Sequence, residues 1–277
     1  MYLVTGANGQ LGTELSALLG DAAVYVDRDE LDISSERAVK DFLADKQFKC
    51  IINCAAYTAV DKAEDEPLLA DAVNHYGAQW LAKYGKCIIH ISTDYVFDGT
   101  NSVPYNEDSS THPVSAYGRT KLAGEQAILK NAETAIIIRT AWLYSAQGSN
   151  FLKTMLRLGK ERNIINVVSD QIGTPTYAGD LAEAIVTILP QVQKGKKGIY
   201  HFTNEGVCSW YDFAHAIMQL SGLSCTVNPI ESKDYPTKAA RPFYSVLNKG
   251  KIKQDFCLEI PHWHDALCKV LKDMKEV

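Results

Sequence analysis

The sequence predicts an α/β fold, a doubly wound parallel sheet carrying a smaller α/β cap. Three observations lead there. Short apolar, β-branched runs alternate with amphipathic stretches through the first half of the chain, the signature of a parallel sheet with helices on both faces. Several of these runs are apolar at every position, as strands covered on both sides require. A glycine-rich turn follows the first run and opens the first amphipathic stretch.

Tyr2–Thr5 reads as the first strand and Gln10–Leu19 as the first helix. Ala23–Val26 is the second strand, and Asp32-Ile-Ser-Ser-Glu36 offers capping residues to a second helix over Ser35–Ala44. Cys50–Cys54, Lys86–Ser92 and Ala135–Arg139 supply three more strands, separated by helices at Glu66–Lys83 and Ala116–Leu129. The second half is less regular. Helical patterns recur at Asn150–Lys160, Gly179–Leu189 and Trp210–Leu220, with strand-like pieces at Ile164–Val168, Ile199–Phe202 and Cys225–Pro229. Residues 1–145, with interleaved pieces near 170–190, are assigned to a dinucleotide-binding unit. Residues 146–169 and 190–277 are assigned to the cap, which would bind substrate. Gln193-Lys-Gly-Lys-Lys-Gly198 reads as a solvated turn, and no internal repeat stands out.

The 277 residues are 46% hydrophobic and 22% charged, enough for a packed core and too apolar for wholesale disorder. A net charge of -5 with no basic tail argues against a nucleic-acid partner, so an anionic ligand needs local positive groups. The N-terminus has no basic leader, and no run approaches the ~18 apolar residues of a membrane span. The seven cysteines are irregularly spaced and form no CxxC pair. Reduced thiols in a cytoplasmic protein fit best, with Cys50 and Cys54 acting as small hydrophobes in a strand.

Gly6-Ala-Asn-Gly9-Gln-Leu-Gly12 sits between a strand and a helix. Glycines there permit a tight turn and close approach of a pyrophosphate to the amide groups of a helix N-terminus. In this context the pattern predicts a Rossmann-type dinucleotide site. Asp27, about 20 residues further on, suits ribose hydroxyls and favours NADH, whereas Arg28 suits a 2′-phosphate and favours NADPH. The two signals conflict, and use of both cofactors is expected. Asp32 and Ile33 lie where the chain passes the adenine, a role compatible with helix capping.

Tyr117-Gly-Arg-Thr-Lys121 places a phenol and an ammonium on one helical face. A cation beside a phenol favours phenolate and is expected to lower the tyrosine pKa towards working pH. Such a tyrosine can protonate a carbonyl oxygen as hydride reaches the carbon, and the lysine can bond the nicotinamide ribose. The apolar strand Ile88-Ile-His-Ile-Ser92 ends in Thr93, whose hydroxyl is placed to polarise that oxygen.

Together these features resemble the extended short-chain dehydrogenase/reductase superfamily. Further strings narrow the resemblance to the dTDP-4-dehydrorhamnose reductase family: Asn53-Cys-Ala-Ala-Tyr-Thr-Ala-Val-Asp-Lys-Ala-Glu64, Ser92-Thr-Asp-Tyr-Val-Phe-Asp-Gly99, Tyr117-Gly-Arg-Thr-Lys-Leu-Ala-Gly-Glu125, Arg139-Thr-Ala-Trp-Leu-Tyr144, Asp170-Gln-Ile-Gly-Thr-Pro-Thr176 and Ala240-Arg-Pro242. The resemblance runs from residue 4 to about 245. It implies NAD(P)H-dependent reduction of the 4-keto group of dTDP-6-deoxy-L-lyxo-4-hexulose to dTDP-L-rhamnose. It casts Tyr117, Lys121 and Thr93 as catalytic, and places Gly9, Gln10 and Leu11 at the pyrophosphate. Ala56, Tyr57 and Thr58 would line the cofactor, with Tyr57 standing where some members carry His. Thr93, Asp94 and Trp142 would meet the sugar. Arg241 is the candidate for the substrate diphosphate, since a guanidinium grips phosphate bidentately; a surface ion pair is its other reading.

Some members dimerise through magnesium. Glu14 matches one ligand position, but among nearby carboxylates only Asp180 and Glu183 follow Thr176. No metal residues are assigned, Mg2+ stays a weak candidate beside NADPH or NADH, and a monomer or a homodimer is expected. Trp210, Tyr211 and Phe213 read as cap packing, His90 as a satisfied core histidine, and His262 and His264 as non-ligands. Two alternatives stay open: another nucleotide-sugar reductase, epimerase or dehydratase, and a non-catalytic regulatory subunit of the methionine adenosyltransferase type. A dehydratase is expected to carry a carboxylate pair after the strand-four threonine, but Asp94 is followed by Tyr95.

Overall fold

The computed structural model describes residues 1–276. The first half runs β1 (Tyr2–Thr5), α1 (Gln10–Leu19), β2 (Ala23–Val26), α2 (Glu36–Leu43), β3 (Ile51–Asn53), α3 (Val60–Ala63), α4 (Pro67–Asp71), α5 (Ala78–Tyr84), β4 (Cys87–Thr93), α6 (Ala116–Asn131) and β5 (Thr134–Thr140). The second half adds β6 (Leu143–Tyr144), α7 (Phe151–Glu161), β7 (Ile164–Val168), β8 (Ile172–Gly173), β9 (Thr176–Tyr177), α8 (Ala178–Ile188), β10 (Lys197–His201), β11 (Cys208–Ser209), α9 (Trp210–Ser221), β12 (Thr226–Ile230), α10 (Gly250–Phe256) and α11 (Trp263–Glu276).

Six parallel strands form the central sheet in the order β10-β5-β4-β3-β1-β2. The order reverses between β1 and β3, and ligands of such sheets bind beyond the carboxyl ends of the strands at the reversal. Leu11 and Leu15 of α1 pack with Leu181 and Ile185 of α8 on one face. Val39 of α2, Leu81 of α5 and Ile128 of α6 cover the other. Burial on both sides explains why Ile136, Ile137 and Ile138 are all fully enclosed. The cap has its own core around Leu152, Phe213, Ile217, Trp263 and Leu267, beneath the parallel pair β7–β12.

One expectation needs correction and a second needs refinement. The stretch near Ile199–Phe202, assigned to the cap, instead supplies β10, the edge strand beside β5, and Ile252 and Phe256 of α10 pack against the same core. A four-residue apolar run carries no mark of which sheet it joins. The helix expected over Glu66–Lys83 is continuous but not uniform: between α4 and α5, residues 72–77 form a π-helical turn. The wider turn directs Asn74 inward, where Oδ1 accepts from Tyr57 N at 2.8 Å and Nδ2 donates to Tyr57 O and to Thr120 Oγ1, each at 3.1 Å. π-Turns often occur at functional sites, and this one fixes the loop that leaves β3.

Candidate active site

Above the carboxyl ends of the strands lies a cleft of about 910 Å3. Sheet order arranges its lining. Asp27 and Arg28 follow the edge strand β2, the glycine loop follows β1, Ala56–Thr58 follow β3, Thr93 and Asp94 end β4, and Trp142 follows β5. The cleft also takes in Gly6, Gly9, Gln10, Leu11, Gly12, Asp32, Ile33, Tyr117 and Lys121. Every sequence-assigned site residue except Arg241 thus faces one cavity.

The glycine loop is shaped for close approach. Gly6 has φ +68°, and a Cβ there would stand 2.6 Å from Ala55 N, so only glycine lets β1 and the post-β3 loop meet. Gly9 is the N-cap of α1 and carries no side chain over the helix's first amides. The Asp27 carboxylate accepts from Asn8 N at 2.9 Å and from Arg28 N at 2.8 Å, tying β2 to the loop. Asp32 is not the cap of α2; it accepts from Ser34 N and Oγ, and Ser35 caps the helix. These features fit a dinucleotide: amides face the pyrophosphate position, and a carboxylate flanks the ribose position.

Ser115 caps α6 by accepting from Gly118 N at 3.1 Å, which sets Tyr117 in the first turn and Lys121 one turn on. The Thr93 hydroxyl and the Tyr117 phenol both line the cleft, close enough for the hydroxyl to act on the phenol. Thr93 Oγ1 also donates to Asp94 Oδ1 at 3.0 Å and accepts from Tyr95 N at 3.2 Å. Lys121 is enclosed, its Nζ donating to Ile91 O at 2.6 Å and lying 3.3 Å from His90 Nε2.

The expected lowering of the Tyr117 pKa is corrected here. Burial raises the phenol well above its usual value, outweighing the lowering influence of the Thr93 hydroxyl, while Asp94 and Tyr95 raise it further. Lys121 gives way instead: desolvation pushes its ammonium down to about 8, against smaller upward pulls from Glu125 and Cys54. Asp94 is pushed up to about 6, mainly by burial. Its Oδ2 has no hydrogen-bond partner among the described residues, an orphan acceptor that a ligand hydroxyl would satisfy.

Arg241 stands outside the cleft lining. Its Nη2 donates to Asp61 Oδ2 at 2.6 Å, and its charge acts on the nearby Tyr95 phenol. The ion-pair reading therefore describes this arrangement. Lys238 pairs with Asp65, and Ala239 N donates to Asp61 Oδ1 at 3.0 Å, so Asp61 of α3 and Asp65 just beyond it tether the 238–241 segment.

Trp210 and Phe213 pack with the cap core as read, but sequence reasoning missed that Trp210 also lines the cleft, face to face with Trp142 at 3.6 Å between centroids. The signal was present: Trp210 directly follows Ser209, the N-cap of the capping box with Asp212, so it stands at the first position of its helix. Trp142 itself has φ 48°, uncommon for an aromatic residue, and its indole closes over Gly173, where a Cβ would stand 2.7 Å from Cε2.

Away from the cleft, Glu14 is joined by Asp180, Glu183 and Asp273, with Lys269 among them; burial raises the Glu14 carboxyl. Lys269 Nζ lies 3.4 Å from Glu183 and 3.9 Å from Asp180. Among the described residues, no group of three or more His, Cys, Asp or Glu is placed to hold a metal ion, and no helix is long and apolar enough to cross a membrane.

Comparison with known proteins agrees with this geometry. Residues 1–276 match the family model described as RmlD substrate binding domain. The dTDP-4-dehydrorhamnose reductase of Aggregatibacter actinomycetemcomitans is 44% identical, the match covering 96% of each chain. Among solved structures, the dTDP-4-dehydrorhamnose reductase of Clostridium acetobutylicum superposes with a TM-score of 0.94 at 39% identity, covering 99% of each chain. The Bacillus anthracis enzyme in complex with NADP gives 0.93 at 38%, covering 98% of each. With its motifs, its cleft and its full length in agreement, the chain belongs to the dTDP-4-dehydrorhamnose reductase family.

Proposed function

We propose that this protein reduces the 4-keto group of dTDP-6-deoxy-L-lyxo-4-hexulose to dTDP-L-rhamnose, with NADPH or NADH as reductant. The observation that carries the reading is the convergence of Thr93, Tyr117 and Lys121 on the cleft that also holds the glycine loop. Relatives named for this reaction, matched along nearly the whole chain, support the substrate.

When bound, the reduced nicotinamide supplies the hydride that the keto carbon accepts. Tyr117, kept a phenol by burial, holds the proton at its oxygen and delivers it to the carbonyl oxygen as charge develops there. The Thr93 hydroxyl turns from Asp94 towards the same oxygen and polarises it. Lys121 holds the ribose and stabilises the phenolate left behind. Asp94 Oδ2 accepts from a sugar hydroxyl, and the Trp142–Trp210 stack forms an apolar wall for the ring. Arg241 reaches the diphosphate only by exchanging Asp61 for it.

Oxidation of NADPH or NADH in the presence of the keto-sugar nucleotide tests the reading. Tyr117→Phe is expected to lower kcat by roughly 10²–10⁴-fold with the dinucleotide Kd unchanged. Unchanged turnover in that variant would overturn the mechanism. No oxidation by the unaltered protein would favour a nucleotide-binding subunit without catalysis.

A further inference from the structure

Behind Lys121, three buried polar side chains form a continuous line that the proposed chemistry does not use. Thr5 Oγ1 donates to Asn53 Oδ1 at 2.8 Å, and Ala55 N donates to the same oxygen at 3.2 Å. Asn53 Nδ2 lies 2.9 Å from His90 Nδ1, and His90 Nε2 lies 3.3 Å from Lys121 Nζ. Thr5, Asn53, His90 and Lys121 are each 1% exposed, so water does not rearrange these bonds.

The order of atoms fixes the protons. A backbone N–H can only donate, so the Asn53 atom facing Ala55 is the oxygen and the atom facing His90 is the NH2 group. His90 Nδ1 must then accept. A neutral imidazole whose Nδ1 accepts carries its proton on Nε2. Protonation of the ring is opposed by the Asn53 donor on one side, and by burial and the Lys121 charge on the other. The His90 Nε2–H therefore points at the Lys121 nitrogen. An ammonium there meets a donor with a donor, whereas a neutral amine accepts from His90 and still donates to Ile91 O. The remaining titratable groups around Lys121 are Cys54 beyond β3, with its thiol pushed up to about 12, and Tyr117 and Glu125 on its own helix. Glu125 is engaged by Arg139 and Ser92.

We propose that Thr5, Asn53 and His90 are positioning residues that lock one histidine tautomer against Lys121 and so weaken its hold on a proton until the dinucleotide binds. The ribose oxygens then give the ammonium acceptors that the protein alone withholds, and Lys121 takes up a proton as the cofactor enters. This inference rests on the proposed reading of the cleft as the dinucleotide site. It assigns the asparagine of β3 and the histidine of β4 a role in setting pH dependence.

The first measurement needs no substitution. Calorimetric titration with NADPH in buffers of different ionisation enthalpy counts the protons exchanged. With the free amine titrating at about 8 and the bound one near its ordinary ~10.4, binding at about pH 9 is expected to take up most of one proton. Binding without proton uptake would overturn the inference and leave the cofactor site standing; no binding would remove both. The nitrogen-15 spectrum of labelled histidine is a second readout on the unaltered protein: His90 is expected as the Nε2–H tautomer from about pH 6 to 9, and an Nδ1–H form or an imidazolium would also overturn it. Third, Asn53→Asp replaces the donor to His90 with an acceptor, reverses the tautomer and lets Nε2 accept from Lys121. The pH midpoint of kcat/KM for NADPH assigned to Lys121, which reports the free enzyme, is expected to rise by about one pH unit. The same substitution in a His90→Phe background is expected to leave that midpoint in place. An equal rise in both backgrounds would mean direct charge attraction, and would reject the relay through His90.

Discussion

Asp27 and Arg28 leave the end of β2 side by side, but their side chains have different freedom. The Asp27 carboxylate is partly engaged by two backbone amides, while the Arg28 side chain stays exposed at the cleft rim. A 2′-phosphate brought to this rim meets a guanidinium able to grip it, and a 2′-hydroxyl meets the carboxylate. Arg28→Ala is therefore expected to raise the KM for NADPH about tenfold, the loss of ~1.4 kcal/mol, and to leave the KM for NADH nearly unchanged. Parallel kinetic titrations decide it; an equal effect on both cofactors would place Arg28 away from the phosphate. Trp142 makes a second test at this scale. Its strained φ and its seat on Gly173 show that the backbone is held in place to present this indole. Gly173→Ala pushes the ring towards the cleft and is expected to raise the sugar-nucleotide KM several-fold, while the NADPH Kd, measured by fluorescence titration, stays unchanged. Of these residues, Tyr117, Lys121 and Thr93 were legible in the sequence, because helical spacing and a strand end state where such side chains point. The Trp142–Trp210 stack and the Asp61–Arg241 pair join positions far apart in the chain, and no local spacing announces them.

The elements that hold the site were legible to within a residue or two wherever a single face had to be buried. The helix over Gln10–Leu19 and the strands Tyr2–Thr5 and Ala23–Val26 stand as read. Reading failed where an element answers to a neighbour instead of to its own periodicity. The Glu66–Lys83 stretch is helical in pattern throughout, yet it widens at residues 72–77 because α6 passes so close. A Cβ on Gly124 of α6 would collide with the Asn74 carbonyl. Gly124→Ala is accordingly expected to cost about 1–3 kcal/mol of stability, as overpacking does. It is also expected to slow turnover, because Asn74 positions Tyr57 and the loop after β3. Thermal unfolding beside a kinetic assay reads both, and a variant of full stability would show that α6 and the π-turn can move apart freely. The two-residue strands β6, β8, β9 and β11 were illegible for the same reason: each is defined by its partner, and two residues carry no periodicity.

Across the whole molecule, the sheet buries charge directly behind the cleft. Arg139 and Glu125 form a pair with Arg139 Nη2 to Glu125 Oε2 at 2.7 Å and exposures of 2% and 1%, so neither can lose its partner without leaving a bare charge inside. β10 closes this region from the far edge through His201, whose Nε2 lies 3.5 Å from Arg139 Nη1. The sequence revealed the parallel sheet but not this closure, because membership of an edge strand depends on what the fifth strand leaves exposed. Lys121 is the buried charge with no carboxylate bonded to its nitrogen; it donates to a carbonyl and faces an imidazole. Its folded-state pKa of about 8 lies below the ordinary lysine value of 10.5, so the unfolded chain binds the proton more tightly. The destabilisation is then complete below about pH 8 and fades as pH rises towards 10.5. Lys121→Met keeps the length and apolar body of the side chain and removes the charge. At neutral pH it is expected to abolish turnover yet raise Tm by roughly 2–6 °C, after the lost hydrogen bond to Ile91 O is set against the relieved desolvation. The Tm difference is expected to shrink steadily above pH 8, where the unaltered protein sheds the same proton on its own. Unfolding scans of both proteins at several pH values check this. A variant less stable than the original at neutral pH would show that Lys121 holds the fold together, and that its burial is not a cost borne for the site.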